Sequence, residues 1–179
     1  MTDKLTPQQR HRCMSHIRAK DTKPERVVRR WLWASGYRYR LYVKTLPGCP
    51  DIVMRKYKIA LFINGCFWHG HHTTFVYGHP ESLVSSDCCR VPQTRTDFWT
   101  SKITRNIERD TANYHLLRQA GWRVLVVWEC QLRGKDQRAQ TLWALTCKLS
   151  SLILDTYGCK RGGYEAEEGD ALPMVAEDE

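Results

Sequence analysis

Residues 58–72 read KIALFINGCFWHGHH. An apolar run leads directly into a stretch, residues 65–72, that packs a thiol, two large aromatics and three imidazoles into eight positions. The run shows no polar alternation, which is the pattern of a strand covered on both faces. Working outward, RVLVVW at 123–128 is a second such run and reads as the central, interior strand. Alternation in YRYRLYV at 37–43 predicts a half-buried strand, and DIVM at 51–54 a short one launched by the turn Pro47-Gly48-Cys49-Pro50. Thr22-Lys23-Pro24-Glu25 opens a helix as a capping box with Pro in its first turn. Val27, Val28, Trp31 and Leu32 share one face of it, and Gly36 ends it. Thr96 caps a second helix that runs with Phe98, Ile103 and Ile107 inward to Leu117 and closes at Gly121. Residues 136–154 form a third, and 73–95 an irregular loop. Helix, strands, helix, central strand, helix is the order of an α/β fold with one mixed sheet between helices.

Charge narrows the partner. The chain carries 28 Lys/Arg and 19 Asp/Glu, net +9. Residues 165–179 hold seven of the acids and no base, so residues 1–164 carry 28 bases against 12 acids. A body that basic points to nucleic acid, and the acidic end to a solvated, disordered tail over 158–179. Residues 1–20 form a short helix or an arm, and 21–157 form one domain. Without an apolar run of about 18 residues or a signal-peptide core, the chain is expected in the cytosol and not on a membrane. Its eight cysteines then suggest metal ligands or buried thiols rather than disulfides.

Several residue types here carry chemistry. Asp51 at a strand start, with Glu25 upstream, offers carboxylates on rigid elements to a hard divalent ion of the kind phosphodiester hydrolysis uses. Turn and cap roles explain both equally well. Cys66 and His71 suit a tetrahedral zinc site only if distant ligands join them, and Cys130, just beyond the second buried strand, is the foremost; it reads as readily as a core thiol. His69 suits a general base, the usual work of an imidazole, or is a solvent-facing loop histidine. Phe67, Trp68 and Trp99 either pack inward or wedge between base pairs.

Taken together, GCFWHGHH (65–72), TRTDFW (94–99), NIERD (106–110) and GWRVLVVWEC (121–130), preceded by Asp21-Thr22 with Glu25 and by LPGCPD (46–51), resemble the very-short-patch repair (Vsr) DNA mismatch endonucleases over roughly residues 10–135. The resemblance implies a restriction-endonuclease-like fold and nicking of one strand of double-stranded DNA 5′ to the thymine of a T:G mismatch left by deamination of 5-methylcytosine. It implies catalytic Mg²⁺ on Asp51 and the Ile63 carbonyl, with Glu25 holding water on the metal. His69 is the implied general base, oriented by Asp110. Phe67, Trp68 and Trp99 are implied to intercalate, and Met14 and Ile17 to approach from the minor groove. A structural Zn²⁺ is implied on Cys66, His71 and Cys130. It also implies a monomer in the bacterial cytoplasm, acting at the nucleoid, with mismatch-repair accessory proteins as further partners.

The chain departs from the pattern at three places. Thr73 stands where relatives commonly have the fourth zinc cysteine, and an insertion before Val91-Pro92 carries Cys88-Cys89. Cys89 or Cys88 is therefore expected to replace the missing ligand, with His72 a poorer third. Asn64 stands where relatives often have histidine, which predicts reduced or retuned activity. Ile63 replaces a threonine, which is tolerable if only its carbonyl is used. Two other readings compete: a nicking or restriction enzyme with another DNA target, and a zinc-stabilised DNA-binding protein without catalysis.

Overall fold

Strand β3 (Ile59–Asn64) is the spine of the molecule, and all six of its residues are buried. A computed structural model describes residues 6–16, 18, 20–71, 74–75, 83–84 and 87–158. On one side β3 pairs antiparallel with β2 (Ile52–Met54), which pairs in turn with β1 (Arg40–Leu41). On its other side β3 pairs parallel with β6 (Arg123–Trp128) over six positions, Ile59 opposite Arg123 and Asn64 opposite Trp128. The sheet is mixed, in the order β1-β2-β3-β6.

Side-chain alternation along these strands feeds two cores. Ile59, Leu61 and Ile63, with Leu125 and Val127, pack on Val28 and Leu32 of α2 (Lys23–Ala34) and on Leu142, Leu145 and Leu149 of α5 (Lys135–Thr156). Ala60 and Phe62, with Val124, Val126 and Trp128, pack on Tyr114 and Leu117 of α4 (Thr96–Gln119). Helices thus cover both faces, which is why β3 and β6 are apolar throughout. The expected α/β architecture, a mixed sheet flanked by helices, is what the chain adopts.

Four expectations are corrected. RVLVVW is buried but not central: among the described residues β6 pairs with β3 alone, and the middle of the sheet is β2 and β3. YRYRLYV supplies only Arg40 and Leu41 to the ladder, because Tyr42 turns to φ 48° and breaks the extended run. Thr96 is not the cap of α4. Arg95 holds that position, and the Thr96 hydroxyl donates to the carbonyls of Pro92 and Gln93. Phe98 does not face the core; it is 46% exposed, since residues in the first turn project past the sheet edge.

The capping box on α2 is present as read, Thr22 accepting from the Glu25 amide and Glu25 from the Thr22 amide. Residues 65–70 are not a loop but a single helical turn, α3 (Cys66–His69), closed by Gly70 at φ 63°. Within the segment read as irregular, β4 (Thr74–Phe75) pairs antiparallel with β5 (Leu83–Val84). The N-terminal segment carries α1 (Pro7–Ser15). The Met14 side chain, Ile17, His72, Thr73 and the tail beyond 158 lie outside the described residues.

Candidate active site and metal centre

The turn before β2 is built for close approach. Gly48 (φ 70°) and Cys49 (φ 51°) are both left-handed, and a Cβ on Gly48 would stand 3.1 Å from that of Asn113 and 3.2 Å from the Phe62 ring. That turn delivers Pro50-Asp51 against β3, where the Ile63 amide donates to Asp51 Oδ2 at 2.8 Å. Burial pushes the Asp51 carboxyl up to about 6; the Ile63 amide opposes this, and the nearby Glu25 charge adds to it. Among the described residues no ion pair neutralises Asp51. A buried carboxylate beside a second carboxylate, with no cationic partner, is a donor set that fits a divalent cation.

Glu25, 4% exposed, is heavily engaged. Its Oε1 accepts from the Thr22 hydroxyl at 2.7 Å and the Thr22 amide at 3.4 Å. Its Oε2 accepts from the Asp21 amide at 3.0 Å and from the Tyr42 hydroxyl. It therefore serves the capping box and the cleft at once.

His69 closes α3, and its Nδ1 lies 2.5 Å from Asp110 Oδ2 on α4. Asp110 Oδ1 accepts from Arg109 Nη2 at 2.9 Å. Burial alone would raise the Asp110 carboxyl, but the His69 and Arg109 contacts hold it below its ordinary value. A carboxylate at Nδ1 places the imidazole hydrogen there and leaves the Nε2 lone pair for a proton. Asn106, one helical turn earlier, donates to the Trp68 carbonyl at 2.8 Å and so ties α3 to α4. Asp51, Ile63, Glu25, His69 and Asp110 line one cleft of about 1090 Å³, together with Lys20, Lys102 and Arg109.

Asn64 is buried and donates from Nδ2 to the Tyr114 hydroxyl at 2.9 Å. It is thus a core polar pair at the strand end.

The aromatics form one group on the rim. The Phe67 ring is 5.0 Å from Trp68 and 5.3 Å from Trp99, and Trp68 is 6.1 Å from Trp99, all edge-on. All three are half-buried. Phe98 stands 5.2 Å from Trp99, with Arg95 and Lys102 over its ring. Phe98, expected inward from the sequence, thus joins the rim aromatics; the signal was there, an aromatic doublet in a basic segment.

Because β3 and β6 run parallel in register, their ends emerge together, and Cys66 and Cys130 each follow the Asn64–Trp128 pair by two residues. Cys66, His71, Cys88 and Cys130 bring four ligand atoms within 4.8 Å of one another. His71 Nδ1 lies 3.7 Å from Cys66 Sγ and 3.3 Å from the sulfurs of Cys88 and Cys130. A tetrahedron with arms of about 2.1–2.3 Å has edges of roughly 3.5–3.8 Å, so three sulfurs and one nitrogen at these spacings fit zinc. Of the adjacent pair it is Cys88 that joins; the fully buried Cys89 directs its sulfur to the Phe67 carbonyl at 3.8 Å. Burial pushes the Cys66 thiol up to about 12 and raises Cys130. Metal loading would therefore release protons. The His71 ring stacks on Trp128 at 4.0 Å, which fixes its plane.

A family model described as DNA mismatch endonuclease Vsr matches residues 2–74. The chain is 37% identical over 174 residues to the DNA mismatch endonuclease Vsr of Escherichia coli, covering 97% of each chain. It is 43% identical over 156 residues to the type II nicking enzyme V.XorIIP of Xanthomonas oryzae pv. oryzae, 86% of this chain and 98% of that one. With the type II nicking enzyme V.NmeAIP of Neisseria meningitidis it shares 45% over 135 residues, 75% of this chain and 87% of the relative.

Proposed function

Since the chain belongs to the Vsr family of DNA mismatch endonucleases, we propose that it nicks one strand of duplex DNA 5′ to the thymine of a T:G mismatch, with Mg²⁺ at Asp51. The observation that carries this reading is the His69–Asp110 pair, 2.5 Å apart, in the cleft that also holds Asp51 and the Ile63 amide. A binding protein without catalysis has no use for that set.

Bound Mg²⁺ would polarise the scissile phosphate and lower the pKa of an attacking water. The rest is done by side chains. Asp51 and the Ile63 carbonyl would hold the ion. His69 takes a proton from the attacking water at Nε2, and Asp110 fixes its tautomer and stabilises the imidazolium. Arg109 and Lys102 meet phosphate charge at the cleft wall. Phe67, Trp68 and Trp99 insert beside the mismatch, where a wobble pair unstacks at lower cost than a matched one. Cys66, His71, Cys88 and Cys130 bind zinc and staple α3, so that the wedge and His69 move as one body.

The deciding experiment is strand-resolved cleavage of duplexes that differ only at one T:G pair, with and without Mg²⁺. A nick confined to the thymine strand of the mismatched duplex, and only with Mg²⁺, is expected. Equal cutting of the matched duplex would instead favour a nicking enzyme with another target, a reading that the names of the 43% and 45% relatives support. Binding without cutting would leave a catalytically silent DNA-binding protein.

A further inference from the structure

Among the cleft side chains that the mechanism above does not use is Tyr42. We propose that Tyr42 is a positioning residue for nicking: its hydroxyl holds the Glu25 carboxylate fixed in orientation beside the Asp51 cation site. The proposal rests on the reading of Asp51 as the ion's ligand.

Tyr42 follows β1 at φ 48°, a conformation disfavoured for an aromatic residue and adopted only where its surroundings enforce it. The consequence of that turn is contact with both residues, with the main chain of Asp51 and the side chain of Glu25. The Tyr42 amide donates to the Asp51 carbonyl at 3.4 Å, while its side chain reaches Glu25. The hydroxyl oxygen accepts from the Asp21 amide at 2.8 Å and from Arg29 Nη1 at 3.2 Å. Both of those partners can only donate. The hydroxyl hydrogen must then go to an acceptor, and Glu25 Oε2 is the nearest; Asp21 Oδ1 is farther at 3.4 Å and is already paired with Arg29. Glu25 receives only donors, from Tyr42, Thr22 and the Asp21 amide. A carboxylate gripped by donors on both oxygens is fixed in its orientation.

Phenylalanine at this position keeps the ring but removes the hydrogen from Glu25 and leaves the Asp21 amide and Arg29 short of a partner. The Glu25 carboxylate loses its lock, and the cleft attracts a cation less strongly. Removal of an outer partner of a metal site costs about 10–100-fold in metal affinity or activity.

The test is Tyr42→Phe in the zinc-loaded full-length protein, with Mn²⁺ affinity measured by calorimetry and the Mg²⁺ requirement by single-turnover nicking of a T:G duplex. Mn²⁺ affinity is expected to fall by about tenfold, and the Mg²⁺ half-saturation to rise by a similar factor. Tyr39→Phe is the control. Its hydroxyl donates to the Arg29 carbonyl on the same helix at 2.8 Å, and its loss leaves both ion readouts at the wild-type value. In a Glu25→Gln background, Tyr42→Phe should have no further effect on Mn²⁺ affinity. A lower melting temperature with unchanged Mn²⁺ affinity in Tyr42→Phe would make the residue merely structural and overturn the proposal. Additive losses in the double variant, or no Mn²⁺ binding by the wild type, would overturn it too. If the wild type binds Mn²⁺ but makes no mismatch-directed nick, the nicking function falls, while the calorimetric arm still decides the role of Tyr42.

Discussion

At the residue scale, the proposed chemistry turns on a single imidazole–carboxylate contact. With Nδ1 of His69 against Asp110, Asp110→Asn replaces an acceptor by a group that can donate, and so favours the tautomer without a lone pair at Nε2. We expect the nicking rate at saturating Mg²⁺ to fall by about 10²–10⁴-fold with Mn²⁺ affinity unchanged; a rate within threefold or so of wild type would remove His69 from the mechanism. Asp51 makes the complementary point about stability. Its folded pKa of about 6 lies above an unfolded value near 3.9, so between those values the folded state binds more protons. The group's contribution is complete below about pH 4 and is lost as pH rises through about 6, so that the ionised site costs about 1–3 kcal/mol at neutrality without a cation. Metal-free Asp51→Asn should therefore melt above the wild type at pH 7.5, and the gap should close as pH falls to 4. Mg²⁺ should stabilise the wild type and not the variant.

At the scale of elements, a one-turn helix carries most of the function, and a turn that short cannot hold itself together. α3 is fixed by the Asn106 bond to the Trp68 carbonyl and by the Cys66-His71-Cys88-Cys130 cluster, whose first member opens it. Elemental analysis of the purified protein should give one zinc per chain, lost in Cys66→Ser, Cys130→Ser and Cys88→Ser but kept in Cys89→Ser. Retention of zinc by Cys88→Ser together with loss by Cys89→Ser would reverse the assignment made from the sulfur positions. Asn106→Ala frees the end of α3 without touching the ligands, and should lower mismatch selectivity more than zinc content.

For the whole molecule, two cores back to back on one sheet hold the cleft at the ends of β3 and β6. Leu61→Ala, at the centre of the α2–α5 core, should cost about 2–5 kcal/mol and be read as a lower urea midpoint. The surface is basic, so DNA affinity should fall steeply with salt. Lys102→Ala, which deletes one cleft cation, should reduce the slope of log K against log [salt] by about one unit. Removing residues 165–179 takes away seven acids and no base, and should tighten binding to matched and mismatched duplexes alike.

The layers of the fold were legible because burial on both faces writes itself as an unbroken apolar run, as in KIALFI and RVLVVW, and because the Thr22–Glu25 box is chemistry between near neighbours. The family pattern was legible in the same way, as short motifs in order. What the sequence left open was settled by distance across the chain. YRYRLYV alternates like a strand, yet Tyr42 leaves the ladder because its hydroxyl is drawn to Asp21, Arg29 and Glu25, residues at least thirteen positions away. RVLVVW looks central because helices hide it, although among the described residues it pairs on one side only. Cys88 and Cys89 are indistinguishable as letters. In the fold one sulfur meets His71 and the other turns under Phe67. Which residues are apolar, charged or capping is a local property and can be read in order; which of them meet is decided only when β3 and β6 bring their ends together.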